Sequence, residues 1–374
     1  MEGYATKEGT FKYLKKFPKY SKDFYRFDGE HFISSLGLGT FRKEPYREEN
    51  YTANYKDAVK LALLNGINHI DTAINYRYQV SEQEIGEALS ELFQNAQLSR
   101  DEVILSSKAG FIPLEFPFPK DPYEWIEKNI VKKGLATNED IVVDQHCITP
   151  EFLRWSVEKS LKNLGVETLD IVYLHNPEVQ LGYVDYTEMI KKIQKAFAEF
   201  EKLVDEGKIR SYGIAAWNAF LYEDDHTEYI SLKDIVDTAV AVAGEKHHLK
   251  YIQSPYNLAK NEAFTYPNQI GPDGKYYTLM QAIHGYGLKM VGSSSLLQMN
   301  LFKGKFNQDI ATKLGTSEFN DVISALQFAR SSNVVSSLFG AVDTQHVEDN
   351  LLVAYLPNPP KEKVLELFGD RLAV

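Results

Sequence analysis

A carboxylate, a phenol, an ammonium and an imidazole, at Asp71, Tyr76, Lys108 and His175, are the side chains whose types and order suit proton transfer. A phenol ionises near pH 10, so it serves as a proton donor at neutral pH only where a neighbour tunes it. Lys108 is expected to lower the Tyr76 pKa by favouring the phenolate. Asp71 is expected to hold Lys108 charged and in place, and His175 to hydrogen-bond a carbonyl oxygen. The set is equipment for adding a hydride to a carbonyl while protonating its oxygen. Taken singly, each residue has a plainer reading: a surface lysine, a tyrosine bonded to backbone, a structural histidine.

These residues meet only if several strand ends converge. From Phe32 onward an apolar strand-like run, a polar or glycine-bearing loop and an amphipathic helix repeat. The strands are expected at Leu36–Thr40, Asn68–Asp71, Val103–Ser107, Asp170–Leu174, Ser211–Ala216, Tyr251–Ser254, Lys289–Ser293 and Val335–Phe339. The helices fall at Tyr55–Leu64, after Ser81, at Pro150–Leu164, Met189–Glu206 and Leu232–Ala243, and near Leu279–Gly285, Asp321–Arg330 and Thr344–Ala354. Ser81 and Glu84 have the spacing of a capping box for the second helix. Eight strand-helix units without a linker between halves favour a closed (β/α)8 TIM barrel, with one domain over residues 32–374 and an N-terminal extension over 1–31. A doubly wound dinucleotide fold would want a third glycine after Gly37-Leu38-Gly39, where Thr40, Phe41 and Arg42 stand.

A long insertion follows the third strand, over about residues 109–149. It carries Phe111, Phe116, Phe118, Tyr123 and Trp125 among four prolines, with a short helix expected over Tyr123–Lys133. Leaving the end of a strand, it would lie over the site, either as a substrate-pocket wall or as a stabilising insertion.

Composition narrows the function classes. Apolar residues make up 44% and charged residues 25%, as in an ordinary globular protein, and the net charge of −11 argues against a nucleic-acid partner. No apolar run approaches the roughly 18 residues of a membrane span, and the N-terminus has no signal-type apolar region. Cys147 is the only cysteine, which suits a reducing, cytoplasmic setting and reads as a small buried hydrophobe. His146 and Cys147 lack further ligands nearby, so no metal site is expected.

With those residues in view, the chain resembles the aldo-keto reductases from about Leu36 to Leu351. Asp71 and Tyr76 lie in DTAINY, Lys108 in ILSSK and His175 in LDIVYLHNPE, and Gly207-Lys208-Ile209-Arg210 and GAVDTQHVEDNL resemble further family segments. The resemblance implies a (β/α)8 barrel, a nicotinamide cofactor, a small carbonyl or sugar substrate, and Tyr76 as general acid or base. It implies cofactor contacts at Gln253 for the carboxamide, with Asn218 as a substitute, at Ser294 and Leu296 in the pyrophosphate loop, and at Asp349 and Asn350 for adenine.

The cofactor cradle departs from the family pattern. Ala215-Ala216 replaces the usual Ser-Asn pair, and Ser293 stands where many members stack a tyrosine on the nicotinamide, leaving Trp217 or Tyr256 as alternative rings. Gly340–Gln345 carries Asp343 and no Lys or Arg, with His346 where a basic residue would pair with a 2′-phosphate. NAD(H) is therefore expected in preference to NADP(H). Two other readings are a regulatory protein that binds cofactor with little turnover, and a non-redox barrel enzyme that reuses the four residues.

Overall fold

The computed structural model describes residues 1–42, 53–303 and 308–369; the domain expected over 32–374 includes stretches outside them. Eight parallel strands, Leu36–Gly39, His69–Asp71, Ile104–Ala109, Leu169–His175, Ile209–Ala215, Leu249–Pro255, Lys289–Ser293 and Val334–Gly340, close into a barrel in sequence order. The seventh strand pairs with both the sixth and the eighth, and the eighth with the first. Continuous apolar runs such as Ile171-Val172-Tyr173-Leu174 suit parallel strands, because helices cover their outer face and side chains fill their inner one.

The helices largely follow the expected spans, with Lys56–Leu64, Pro150–Leu164, Leu232–Ala243, Leu279–Gly285 and Asp321–Ala329 among them. The last expected helix is shorter: Thr344–Asn350 is helical and Leu351–Tyr355 tightens into a 3₁₀ turn. Among the described residues no helix is long and apolar enough to cross a membrane.

Strand register sets which side chains face inward. Gly39 pairs with Asp71, Asp71 with Ser106, Lys108 with Tyr173, His175 with Ala215, and Ala215 with Gln253. Alternation then puts His69 and Asp71, Ser106 and Lys108, and Tyr173 and His175 on the inner face. Gly213 is inward too: a Cβ there would meet the Tyr251 carbonyl at 2.3 Å and the Tyr173 ring at 2.9 Å, so the glycine makes room for both.

Residues 1–31 contribute the floor of the barrel. A helix, Lys7–Leu14, precedes a hairpin of Tyr25–Phe27 and Phe32–Ser34, so a break between residues 31 and 32 falls inside the hairpin. Ala5 and Ile33 join the interior apolar cluster of Ile104, Ile171, Tyr173 and Val291. At the hairpin turn, Asp28 accepts from the amides of Glu30 and His31 and from the Tyr251 hydroxyl at 2.8 Å, while the His31 ring lies 3.4 Å from the carboxylate.

Burial opposes both charges, but their mutual attraction, and for Asp28 the amides of His31 and Glu30, outweigh it, so Asp28 is lowered and His31 raised. A raised His31 contributes stability fully below its unfolded value near 6.5, and loses it as pH rises through the folded value. A lowered Asp28 contributes fully above its unfolded value near 3.8, and loses it as pH falls through the folded value. The Tm advantage of the wild type over His31→Gln is therefore expected to shrink as pH rises above about 6.5. Thermal melts across pH would show it, and a gap independent of pH would remove the ion pair from the account.

Candidate active site

A cleft of about 990 Å³ opens at the carboxyl ends of the strands, lined by Asp71, Tyr76, His175, Gln253, Ser293 and the rims at Gly39–Arg42 and Gly340–Asp343. Its size and position match those of ligand sites in barrels of this kind. The four residues singled out from sequence gather at its base. The Lys108 ammonium donates to the Asp71 carboxylate and, at 2.8 Å, to the Thr72 carbonyl. It lies 5.0 Å from the Tyr76 ring centre, and the Tyr76 and His175 rings are 6.0 Å apart.

Asp71 is held from three sides. Besides Lys108, Ser106 Oγ donates to Oδ2 at 2.8 Å and Gln253 Nε2 at 2.9 Å. An ionised carboxylate only accepts, so the one Ser106 proton is committed to it. Ser106 Oγ then accepts from His69 Nε2 at 3.2 Å, and His69 Nδ1 accepts from Ser336 Oγ at 3.0 Å. Burial lowers His69 to about 4, so this ring is neutral, and a single directed chain of donors runs from Ser336 to Asp71. Ser106 escaped the sequence reading, although alternation placed it on the inner face with Lys108.

The electrostatics differ from expectation at Tyr76. Burial raises its hydroxyl above the ordinary value and outweighs the lowering by Lys108, with Asp71 adding to the rise. The phenol is thus protonated at neutral pH. Burial also works against the Lys108 charge, but Asp71 and Tyr76 outweigh it and hold the ammonium above the ordinary lysine value. Burial, with the nearby Lys108 charge, keeps His175 well below 6.5, so it is a neutral imidazole; its Nδ1 is buried without a partner.

The turn that presents Tyr76 is unusual. Arg77, Tyr78 and Gln79 all have left-handed φ, at 50°, 56° and 75°, a conformation that costs of order 1–3 kcal/mol per non-glycine residue. The buried Arg77 guanidinium holds it by pairing with Glu84 at 2.5 Å and donating to the Ala53 carbonyl at 2.5 Å. Glu84 also accepts from the Tyr55 amide. The expected capping box is absent for this reason: Glu84 is committed to Arg77, and the Ser81 hydroxyl donates to the Thr40 carbonyl. The helix starts at Val80, with no side-chain cap.

The insertion contributes little to the cleft wall. Phe111 lines the cleft and packs 5.0 Å from the His175 ring, whereas Phe118 packs on Tyr78, and Trp125 sits against a separate core of Ile112, Ile126, Ile130, Cys147 and Phe152. Tyr123 is exposed and bonded to Asp144. The expected helix is a short Pro122–Ile126 segment that continues as a π turn, Glu127–Val131. The insertion braces the site from behind. Gln79 Nε2 donates to the Pro113 carbonyl, and His146 Nε2 donates to the His175 carbonyl at 2.8 Å while its Nδ1 accepts from Gln180. Both His146 ring nitrogens are thereby used, and burial raises the Cys147 thiol, which keeps it inert.

Of the expected cofactor contacts, Gln253, Ser293, Ser294, Leu296, Gly340 and His346 line the cleft. Asn218, Asp349 and Asn350 are not on its wall. Asn218 is engaged by Lys260 at 2.7 Å and Tyr222 at 3.2 Å, Asp349 is exposed and bonded to Gln345, and Asn350 is buried. Of the two alternative rings, Trp217 lines the cleft, whereas Tyr256 is buried against Phe328 with its hydroxyl on Ser332.

The residues present fit a nicotinamide. One Gln253 Nε2 proton goes to Asp71, and its Oε1 remains to accept from a carboxamide. Ser294, Ser295 and Leu296 lie on the cleft wall, where the loop after the seventh strand leaves the barrel.

A profile of the Aldo/keto reductase family matches residues 35–249, more than half of the chain, and the chain belongs to that family. Aldose reductase B of Dictyostelium discoideum is 28% identical over 206 residues, 51% of this chain and 52% of the relative. The chain spans about half to three-fifths of the length of the first such relatives. Among solved structures, an aldo/keto reductase from Klebsiella pneumoniae in complex with NADP and acetate aligns over 93% of this chain and 95% of its own, with a TM-score of 0.58 and 21% identity. The aldose reductase from Schistosoma japonicum aligns over 91% and 90%, with a TM-score of 0.57 and 20% identity. These two show the same fold.

Proposed function

We propose that this chain is an NAD(P)-dependent oxidoreductase that interconverts a carbonyl and an alcohol, with Tyr76 as the general acid or base. The observation that carries the reading is the Asp71, Lys108, Tyr76 and His175 cluster at the base of the cleft. A reduced nicotinamide supplies the hydride. Tyr76, protonated at neutral pH, delivers a proton to the carbonyl oxygen in reduction and takes it back in oxidation. Lys108 balances the negative charge that develops on the phenolate, and Asp71 fixes Lys108. His175, a neutral imidazole, orients the carbonyl by a hydrogen bond.

The cleft walls at Phe41, Phe111, Trp217 and Phe339 suit a small aldehyde, ketone or sugar that presents an apolar or ring face. At the rim from Gly340 to His346, Asp343 and the absence of Lys or Arg support NAD(H) over NADP(H), since a 2′-phosphate wants a cation there. A cytoplasmic setting suits a chain whose one thiol is buried and inert.

Fluorescence titration of the purified protein is expected to give tighter binding of NADH than of NADPH, and absorbance at 340 nm is expected to fall with members of a carbonyl panel. Binding without turnover would favour a cofactor sensor; no binding of either dinucleotide would end the reductase reading.

A further inference from the structure

Pairing of the fifth strand runs out at the mouth of the cleft. The Asn176 amide donates to the Ala215 carbonyl at 2.7 Å, and the Ala216 amide donates to the Gln253 carbonyl at 3.0 Å. The next amide, that of Trp217, lies past the ladder, and it donates to Glu178 Oε1 at 2.8 Å. A side-chain carboxyl thus supplies the rung that a neighbouring strand no longer offers. Glu178 sits on the 3₁₀ turn Pro177–Gly182, which Asn176 joins to His175, and is only 8% exposed; its Oε2 is buried without a partner. The Trp217 indole, 44% exposed, lines the cleft beside Ala215 and Ala216. None of the chemistry assigned above uses this carboxyl, although a buried carboxyl with one unpartnered oxygen is costly to keep.

We propose that Glu178 is a positioning residue that fixes Trp217 at the cleft mouth through its main-chain amide, and that the fixed indole is the surface on which a ring-bearing substrate packs. The kinetic half of this proposal rests on the reductase reading; the structural half does not. An ionised carboxylate accepts from the amide more strongly than a neutral carboxyl, so the wall is held more firmly once Glu178 is charged. Burial raises Glu178 to about 7, with the Trp217 amide working against the rise and Glu228, beyond the fifth strand, adding to it. His175, at the end of the fourth strand, and His146, on the insertion, are both lowered by burial and add no charge near neutral pH. The wall therefore tightens as pH rises through neutrality.

The test uses tryptophan fluorescence of the full chain without cofactor. The protein has three tryptophans, and the difference between wild type and Trp217→Phe isolates the signal of Trp217. Acrylamide quenching of that signal is expected to decrease with rising pH, with a midpoint near 7. In Glu178→Gln, whose amide oxygen still accepts from the Trp217 amide but does not ionise, the step is expected to vanish. In Glu178→Ala the indole is expected to be more accessible at every pH, and the KM for an aromatic aldehyde to rise roughly three- to tenfold with a smaller change in kcat, the size of one lost hydrogen bond. A quenching step that survives in Glu178→Gln would overturn the proposal, as would unchanged quenching in Glu178→Ala. Should the alanine variant fail to fold, the glutamine variant decides. An intact step in a protein that reduces no carbonyl would sink the reductase reading and leave the positioning role standing.

Discussion

Tyr76→Phe is expected to lower kcat for carbonyl reduction by about 10²–10⁴-fold, the range for loss of a positioned general acid, while NADH affinity is unchanged. The phenyl ring keeps the packing against Phe41 and removes the one group placed to hand a proton to the carbonyl oxygen. The pH profile carries a second, independent mark. Because burial raises the Tyr76 pKa, the acid form persists across neutral pH, and reduction should hold level until the alkaline limb above the ordinary tyrosine value near 10. Oxidation of the alcohol, which needs the phenolate, should climb with pH over the same interval. Steady-state rates in both directions would check this. Retained activity in Tyr76→Phe would remove the residue from the mechanism, and an alkaline limb near neutrality would show that Lys108 outweighs burial after all.

The second large effect is on the buried pair beneath it. Lys108→Met is expected to abolish turnover and to destabilise the fold by about 3–5 kcal/mol, because the Asp71 carboxylate stays buried with only Ser106 and Gln253 to satisfy it. In a chain of this size that is a drop of roughly 5 °C in Tm. Asp71→Leu combined with Lys108→Met removes both charges and should recover much of the lost stability with no recovery of activity, since a buried pair is more costly to break than to replace. The double-variant cycle separates the structural effect of the pair from its chemical one. A Lys108→Met protein that melts like wild type would overturn the account of a buried pair that is costly to break.

Much of the barrel could be read from the chain because its strands are continuous apolar runs that end in a polar residue. Ile171 to Leu174 followed by His175, and Val103 to Leu105 followed by Ser106, Ser107 and Lys108, announce both the strand and the end that faces the cleft. What escaped depends on contacts between distant residues. Ser81 and Glu84 have capping spacing, yet Arg77 and Tyr55 claim Glu84. Asn218 has the right chemistry for a carboxamide, yet Lys260, far along the chain, takes its oxygen. The direction of the Tyr76 shift is a competition between burial and one nearby charge, and only the three-dimensional surroundings set its balance. The insertion follows the same rule: its aromatic content did not say whether the rings face the cleft, and Phe111 lines it while Phe118 packs on the turn behind Tyr76 and Trp125 on a separate core.

The left-handed run at Arg77, Tyr78 and Gln79 enlarges the part of the molecule on which activity depends. A backbone held in this way has somewhere easier to go, and Arg77, Glu84, Gln79 and the Pro113 carbonyl are what prevent it. Any of these can fail without touching a ligand, and the phenol would then leave its place while the rest of the cleft stood intact. Inherited variation that silences the site should therefore gather along this brace, in residues that a catalogue of ligand contacts would pass over.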